Sequence, residues 1–378
     1  MKTKKNTFLI LMLVSVLLFC LSGCSTQEEK TPSLTGTVIE IEKYGHAVLD
    51  VSVKKFHDKG FALGDIVTIE CDDYTKDMPY FDGYYVNHGE YMVRAYSGNE
   101  NIALCINYGK FDEATGIGVG DKVTITLKEQ GGELVTQELY SLVYSTERTD
   151  FISDEVFADF RPVVMGDIVE GRLYRCASPI DNVYGRASTA NKLAESVGIN
   201  AVMNMANTSE EVENFAKAEG FSSYYYKNMY DSGRVITLGM SMDFTSDKFA
   251  EDIVEGFTFL SQGETPYLIH CTEGKEKSGF ATMLLGALMG ADLEEITSDH
   301  MTSYANYYNL SVVKDAEKYE RVINKNLMEM LYVVTGLERG TSLEGVDLKV
   351  AAENYLISHG MKADAVETLK ENLSKTSE

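Results

Sequence analysis

Pro266-Tyr-Leu-Ile-His-Cys-Thr-Glu-Gly-Lys-Glu-Lys-Ser-Gly279 is the stretch that decides how this chain is read. Tyr267 to His270 is a short apolar run launched by a proline, which predicts a buried strand. Phe280 to Met289 is apolar, free of proline and closed by Gly290, which predicts a buried helix with a glycine just past its end. A turn from a strand into a helix aims several backbone N–H groups at one spot, and the helix dipole adds positive potential there. Such a turn is an anion cradle. A cysteine on its floor, here Cys271, is favoured as a thiolate and so as a nucleophile.

As a pattern the stretch is His270-Cys271-x5-Lys277-Ser278-Gly279. It resembles the phosphate-binding loop of the cysteine-dependent tyrosine and dual-specificity phosphatases, His-Cys-x5-Arg-Ser/Thr-Gly, with Lys277 in place of the arginine. Within that family it is most similar to the bacterial group ending Gly-Lys-Asp-Arg-Thr-Gly, read here as Gly274-Lys275-Glu276-Lys277-Ser278-Gly279. A nucleotide P-loop is excluded, because Gly274-Lys275 is followed by Glu276 rather than Ser or Thr. Two alternatives stay open: a rhodanese-like sulfur-transfer loop, and a structural cysteine buried ahead of a core helix.

The resemblance extends over roughly residues 157 to 373. Leu173-Tyr-Arg-Cys-Ala-Ser-Pro179 looks like the group's Tyr-Arg-Ser strand, and Gly198 to Met205 followed by Glu210-Glu211 is similar to its strand leading to an acidic helix. Ser298 to Tyr304 resembles its Asp-Tyr-x-x-Ser segment, with His300 where tyrosine is usual.

The 378 residues leave room for two domains, and a hydrophobic content of 44% predicts a folded chain. A net charge of −24 argues against nucleic acid as a partner and leaves the attraction of an anionic substrate to local groups. At the front, Lys2, Lys4 and Lys5 precede an apolar run from Phe8 to Leu21, then Leu21-Ser22-Gly23-Cys24. This is similar to a bacterial lipoprotein signal, residues 1–23, with cleavage before Cys24 and lipid on its sulfur. The alternative, a membrane-spanning anchor, wants about 18 apolar residues, more than this run has. Residues 24–33 then read as a tether, and the protein is expected to be exported and held on the outer face of the cytoplasmic membrane. Of six cysteines, Cys71, Cys105, Cys176 and Cys271 remain, too widely spaced for a disulfide framework or a metal site. No metal or cofactor is expected.

Residues 34–135 are rich in β-formers with frequent glycine, and Leu63-Gly-Asp-Ile-Val-Thr-Ile69 is echoed by Val119-Gly-Asp-Lys-Val-Thr-Ile125. Short strands at this spacing predict a small all-β domain, barrel or sandwich. Its Gly-Asp turns and Ala103 to Gly109 resemble the C-terminal β-domain of the S-adenosylmethionine hydroxide adenosyltransferases, a likeness of fold that carries no activity. Glu129 to Asp154 reads as a junction. In residues 150–378 the texture changes to alternating strands and helices, the α/β pattern of a mainly parallel sheet with flanking helices. Arg172–Pro179, Ile199–Met205 and Ser223–Tyr226 are expected strands; Ala187–Val197, Ser209–Ala218 and Asp247–Leu260 are expected helices.

The resemblance implies two-step hydrolysis of a phosphate monoester, carried by a phosphorylated protein, a phosphoinositide or an inositol phosphate. Cys271 attacks phosphorus, and backbone N–H groups from Thr272 through Glu273, Gly274 and Lys275 to Lys277 hold its oxygens. Ser278 is expected to donate a hydrogen bond to the Cys271 sulfur, His270 to orient the loop, and Lys275 to reach substrate oxygens. The leaving oxygen takes its proton from Glu276, the position the resemblance points to, or from Asp231 or Asp243 upstream. Lys277 supports a second reading, a pseudophosphatase that binds phosphorylated ligands without turnover. A third is a surface interaction protein acting through its β-domain.

Overall fold

A computed structural model describes residues 31–374; the expected signal and most of the tether, Cys24 included, lie outside them. Strand β1 (Ser33–Ile41) shows how the first half is built: Leu34, Gly36 and Val38 are buried while Thr35 and Ile39 are exposed. That is the period of two of a strand with one face in a core. Six strands follow, β2 (Ala47–Ser52), β3 (Ile66–Cys71), β4 (Tyr74–Phe81), β5 (Tyr91–Arg94), β6 (Asn101–Ile106) and β7 (Lys122–Glu129). They close into a barrel in the order β1-β2-β6-β5-β4-β3-β7, with β7 antiparallel to β1. Between barrel and sandwich, the sequence resolves to a closed barrel.

The internal echo has a physical cause. Gly64 and Gly120 take φ of +87° and +100°, values that favour glycine. Each following aspartate ties its turn back: Asp65 accepts from the N–H of Ala62 at 2.7 Å, and Asp121 from that of Gly118 at 2.8 Å. The strands these turns launch, β3 and β7, are antiparallel neighbours. The junction holds a helix, α1 (Leu134–Tyr140), whose Leu139 packs with Met301 and Tyr304 of the second half.

The second half is a five-stranded sheet in the order β11-β10-β12-β9-β8. Its strands are β8 (Arg161–Pro162), β9 (Leu173–Cys176), β10 (Ala201–Asn204), β11 (Val235–Thr237) and β12 (Tyr267–His270). All pairs are parallel except β8 with β9. The labelled helices are α2 (Ala187–Ser196), α3 (Ser209–Ala216), α4 (Tyr224–Asp231), α5 (Asp247–Gln262), α6 (Glu276–Leu288), α7 (Leu293–Tyr308), α8 (Met328–Thr335), α9 (Leu348–Ser358) and α10 (Ala363–Ser374). Both faces of the sheet are covered, and its central strands β10 and β12 are buried along their whole length. Tyr267 and Ile269 of β12 join a core with Phe249, Ile253 and Phe257 of α5 and Leu284 of α6. Leu268 points the other way, to Ala190 of α2, Val212 of α3 and Met229 of α4.

Ser223–Tyr226, expected as a strand, is instead the start of α4. The tyrosine run favours a strand locally, but Tyr226 and Met229, three apart, are the residues that bury. Tyr225 donates to the carbonyl of Ile199 at 2.6 Å, which fixes the helix against the sheet. The edge strand next in sequence is β11, three residues long.

Candidate active site

The quoted stretch folds as a strand, a turn and a helix: β12 ends at His270, Cys271 is 4% exposed, and α6 begins at Glu276. Gly274 shapes the turn. Its φ is +78°, and a Cβ there would lie 2.5 Å from the carbonyl carbon of Cys176 at the end of β9. Among the described residues, no backbone N–H from Thr272 to Lys277 donates to an acceptor, and no side chain caps α6. A turn of unpaired donors at a helix N-terminus beside a buried cysteine is suited to hold a tetrahedral oxyanion. The turn's carbonyls, by contrast, are used.

Arg175 of β9 uses them. It is 1% exposed and donates to the carbonyls of Gly274 at 2.6 Å and Lys275 at 3.0 Å. Its other terminal nitrogen reaches Thr282 at 2.8 Å and the Asp299 carboxylate at 2.6 Å. Asp299 also pairs with Arg161, which bonds in turn to Asp159 and to Ser303 of α7. Burial pushes the Asp299 carboxyl up, but Arg175 and Arg161 overcome it and hold it at about 2. His270 is fully buried, which lowers its pKa to about 3, and its ring lies 3.4 Å from both the Cys271 carbonyl and the Tyr226 hydroxyl. The ring is therefore neutral and positions the loop.

Lys275 turns away from the cradle. Its ammonium donates to Tyr308 at 2.8 Å and lies 4.9 to 5.8 Å from the ring centres of Tyr144, Tyr304, Tyr307 and Tyr308. Burial works to lower its pKa, yet Glu276 and Glu273, at 3.6 and 3.5 Å, raise it above the ordinary value. Glu273 accepts from Tyr144, and its carbonyl accepts from Tyr307 at 2.5 Å. Glu276 faces the same aromatic group, with the Tyr304 hydroxyl 3.4 Å away. Lys277 is half-buried and donates to the Met240 carbonyl at 2.8 Å; burial lowers its pKa against the opposing pull of Cys271.

Two expectations change. The Ser278 hydroxyl is buried without a hydrogen-bond partner among the described residues, so its expected bond to the Cys271 sulfur is not made. Asp231 sits at the exposed end of α4, paired with Lys227, while Asp243 faces His88 of the barrel at 3.7 Å and ties its own turn through Thr245. Sequence reasoning gave no role to Arg175, Asp299 or the tyrosine cage. The spacing of Tyr304, Tyr307 and Tyr308 on one face of α7 was the available signal.

A family model described as the tyrosine phosphatase family matches residues 162–375. No curated protein matches the chain. One solved structure, titled an uncharacterized conserved protein from Thermotoga maritima, is 15% identical, and the match covers 25% of this chain and 36% of that one with a TM-score of 0.24.

Proposed function

The chain belongs to the tyrosine phosphatase family, and we propose that it hydrolyses phosphate monoesters through a phosphocysteine at Cys271. The thiolate attacks phosphorus as the ester P–O bond breaks, and Glu276 gives its proton to the departing oxygen. Water then attacks phosphorus, Glu276 takes its proton back, and the S–P bond breaks to release phosphate and the thiolate. The observation that carries this reading is the row of unpaired N–H donors from Thr272 to Lys277 around a buried cysteine. Phosphate release from 4-nitrophenyl phosphate, with a phosphorylated Cys271 peptide on acid quench, is the expected result. Release that persists in Cys271→Ser would sink the reading.

One observation favours a second reading, binding without turnover. Lys277 spends a donor on the Met240 carbonyl, outside the loop, where an arginine fork would reach two phosphate oxygens. Tight binding of a phosphonate with no hydrolysis of any monoester marks that outcome.

We also infer export and lipid anchoring through Cys24, on the sequence alone. No helix of the described residues is long and apolar enough to cross a membrane. Cys24→Ala is expected to stay unprocessed or to leave the membrane fraction; unchanged lipid labelling refutes the anchor.

A further inference from the structure

A cavity of about 900 Å³ lies where the barrel meets the loop. Two loop residues line it, Lys275 and Glu276, whereas Cys271 and Lys277 do not. The group assigned as acid and the nucleophile therefore face different spaces. In an in-line displacement the leaving oxygen departs opposite the sulfur, and it must lie within reach of the acid that protonates it. Whatever that oxygen is attached to then lies on the Glu276 side, in the cavity.

The barrel builds the far wall, and its chemistry is specific. Tyr84 accepts from the buried Arg94 at 2.9 Å and lies 3.0 Å from Nε2 of His46. With the Tyr84 proton directed to that nitrogen, the ring N–H falls on Nδ1 of His46, which is buried without a partner among the described residues. His46 is 4% exposed and lines the cavity, its ring held against Tyr84. Tyr108 and Phe244 add aromatic surface. Five lining side chains are cationic (Lys43, Lys110, Lys275, Lys325, Arg339) against three acidic ones, in a chain whose net charge is −24. The wall is tied in place: Asp243 meets His88, and Arg339 donates to the His88 carbonyl at 3.4 Å.

We propose that this cavity receives the leaving group of the substrate, so that the barrel forms part of the active site. The substrate is then a small-molecule phosphate monoester whose organic part is bulky, largely aromatic and carries an acidic group. A volume of about 900 Å³ suits a whole small molecule better than one side chain of a folded protein. The inference rests on the phosphatase reading and on Glu276 as the acid.

The test compares kcat/KM for phenyl phosphate, 4′-carboxybiphenyl-4-yl phosphate and a phosphotyrosyl peptide. The full chain and its Tyr108→Ala and Lys110→Glu variants are used, both changes being at partly or fully exposed barrel positions. Wild type is expected to prefer the carboxybiphenyl ester, and each variant to lose about tenfold of that preference. An unchanged ratio in both variants, or a preference for the peptide, overturns the proposal while leaving the phosphatase reading intact. If no monoester is hydrolysed, binding of the matching biphenylmethylphosphonate is measured by calorimetry. Binding that weakens in Tyr108→Ala keeps the cavity assignment and refutes turnover; binding that ignores Tyr108, or none, refutes the assignment.

Discussion

The Arg175 side chain donates to the Gly274 carbonyl at 2.6 Å, joining residues 99 positions apart. One strand thus supplies the clamp that turns the carbonyls of its neighbour's loop inward and leaves the N–H groups free for a ligand. Arg175 is a positioning residue by this geometry. Its guanidinium also neutralises Asp299, which is otherwise a buried carboxylate with one remaining arginine partner.

Arg175→Leu is therefore expected to cost about 3–5 kcal/mol of stability, because it breaks a buried ion pair and removes the donor to the Gly274 and Lys275 carbonyls. Asp299→Asn in the same background is expected to restore part of that loss. Urea denaturation of the single and double variants measures both. Turnover is expected to remain at least tenfold low in the double variant, since the carbonyls stay unheld. Recovery of full activity there would show that Arg175 acts on the fold alone.

Glu276→Gln is expected to slow hydrolysis of alkyl phosphates far more than that of 4-nitrophenyl phosphate. A poor leaving group needs the proton and nitrophenolate does not. Equal slowing would make Glu276 a partner of Lys275 only, and Asp243, which shares the cavity wall, the next group to test.

Lys277→Arg is expected to raise kcat/KM for a monoester. A donor that bonds the transition state contributes about 10²–10³ in rate, and arginine offers a planar pair of donors where lysine offers a point charge. The gain is limited by the Met240 carbonyl, which already holds the lysine. Lys277→Ala is expected to fall. Three equally inactive proteins would favour the binding-only reading.

Acid is expected to weaken the fold in two windows. His300 is buried in α7 with neither ring nitrogen bonded among the described residues, and burial, then Arg175, lowers its pKa to about 4. An unfolded histidine titrates near ~6.5 and so binds more protons than the folded one. Stability is complete above that pH and declines by roughly 3 kcal/mol as the pH falls to about 4. Asp299, held at about 2 against ~3.9 unfolded, then loses its contribution as the pH falls through that second interval. Urea midpoints against pH check this; His300→Leu is expected to make the first decline shallower without abolishing it, because the buried His270, lowered to about 3, loses stability over the same range.

Much of this was legible because the signals were local. The Pro266–Gly279 stretch carries its strand, turn and helix in consecutive residues, and the Gly-Asp echo is a turn device repeated on paired strands. What was hidden depends on distance in sequence. Nothing near Arg175 announces that its partners are Gly274 and Asp299, and nothing near Lys275 announces that Tyr144 completes its cage. Ser223–Tyr226 misled because three tyrosines favour a strand, whereas burial of Tyr226 and Met229 favours a helix. Asp231 closes the same helix and is paired there with Lys227.

The closure of the barrel also has a mechanical side. Ser33 opens β1, which is bonded along one edge to β2 and along the other to β7, both antiparallel. Under the proposed anchoring at Cys24, a pull on the chain reaches the described residues just ahead of β1, whose hydrogen bonds run across the strand. The two ladders follow one another along the strand, Ser33–Thr37 pairing with β7 and Val38–Ile41 with β2, so a pull on Ser33 loads the β7 ladder first. Under the proposed anchoring, the strand that first takes the load is one bonded to a neighbour on each side.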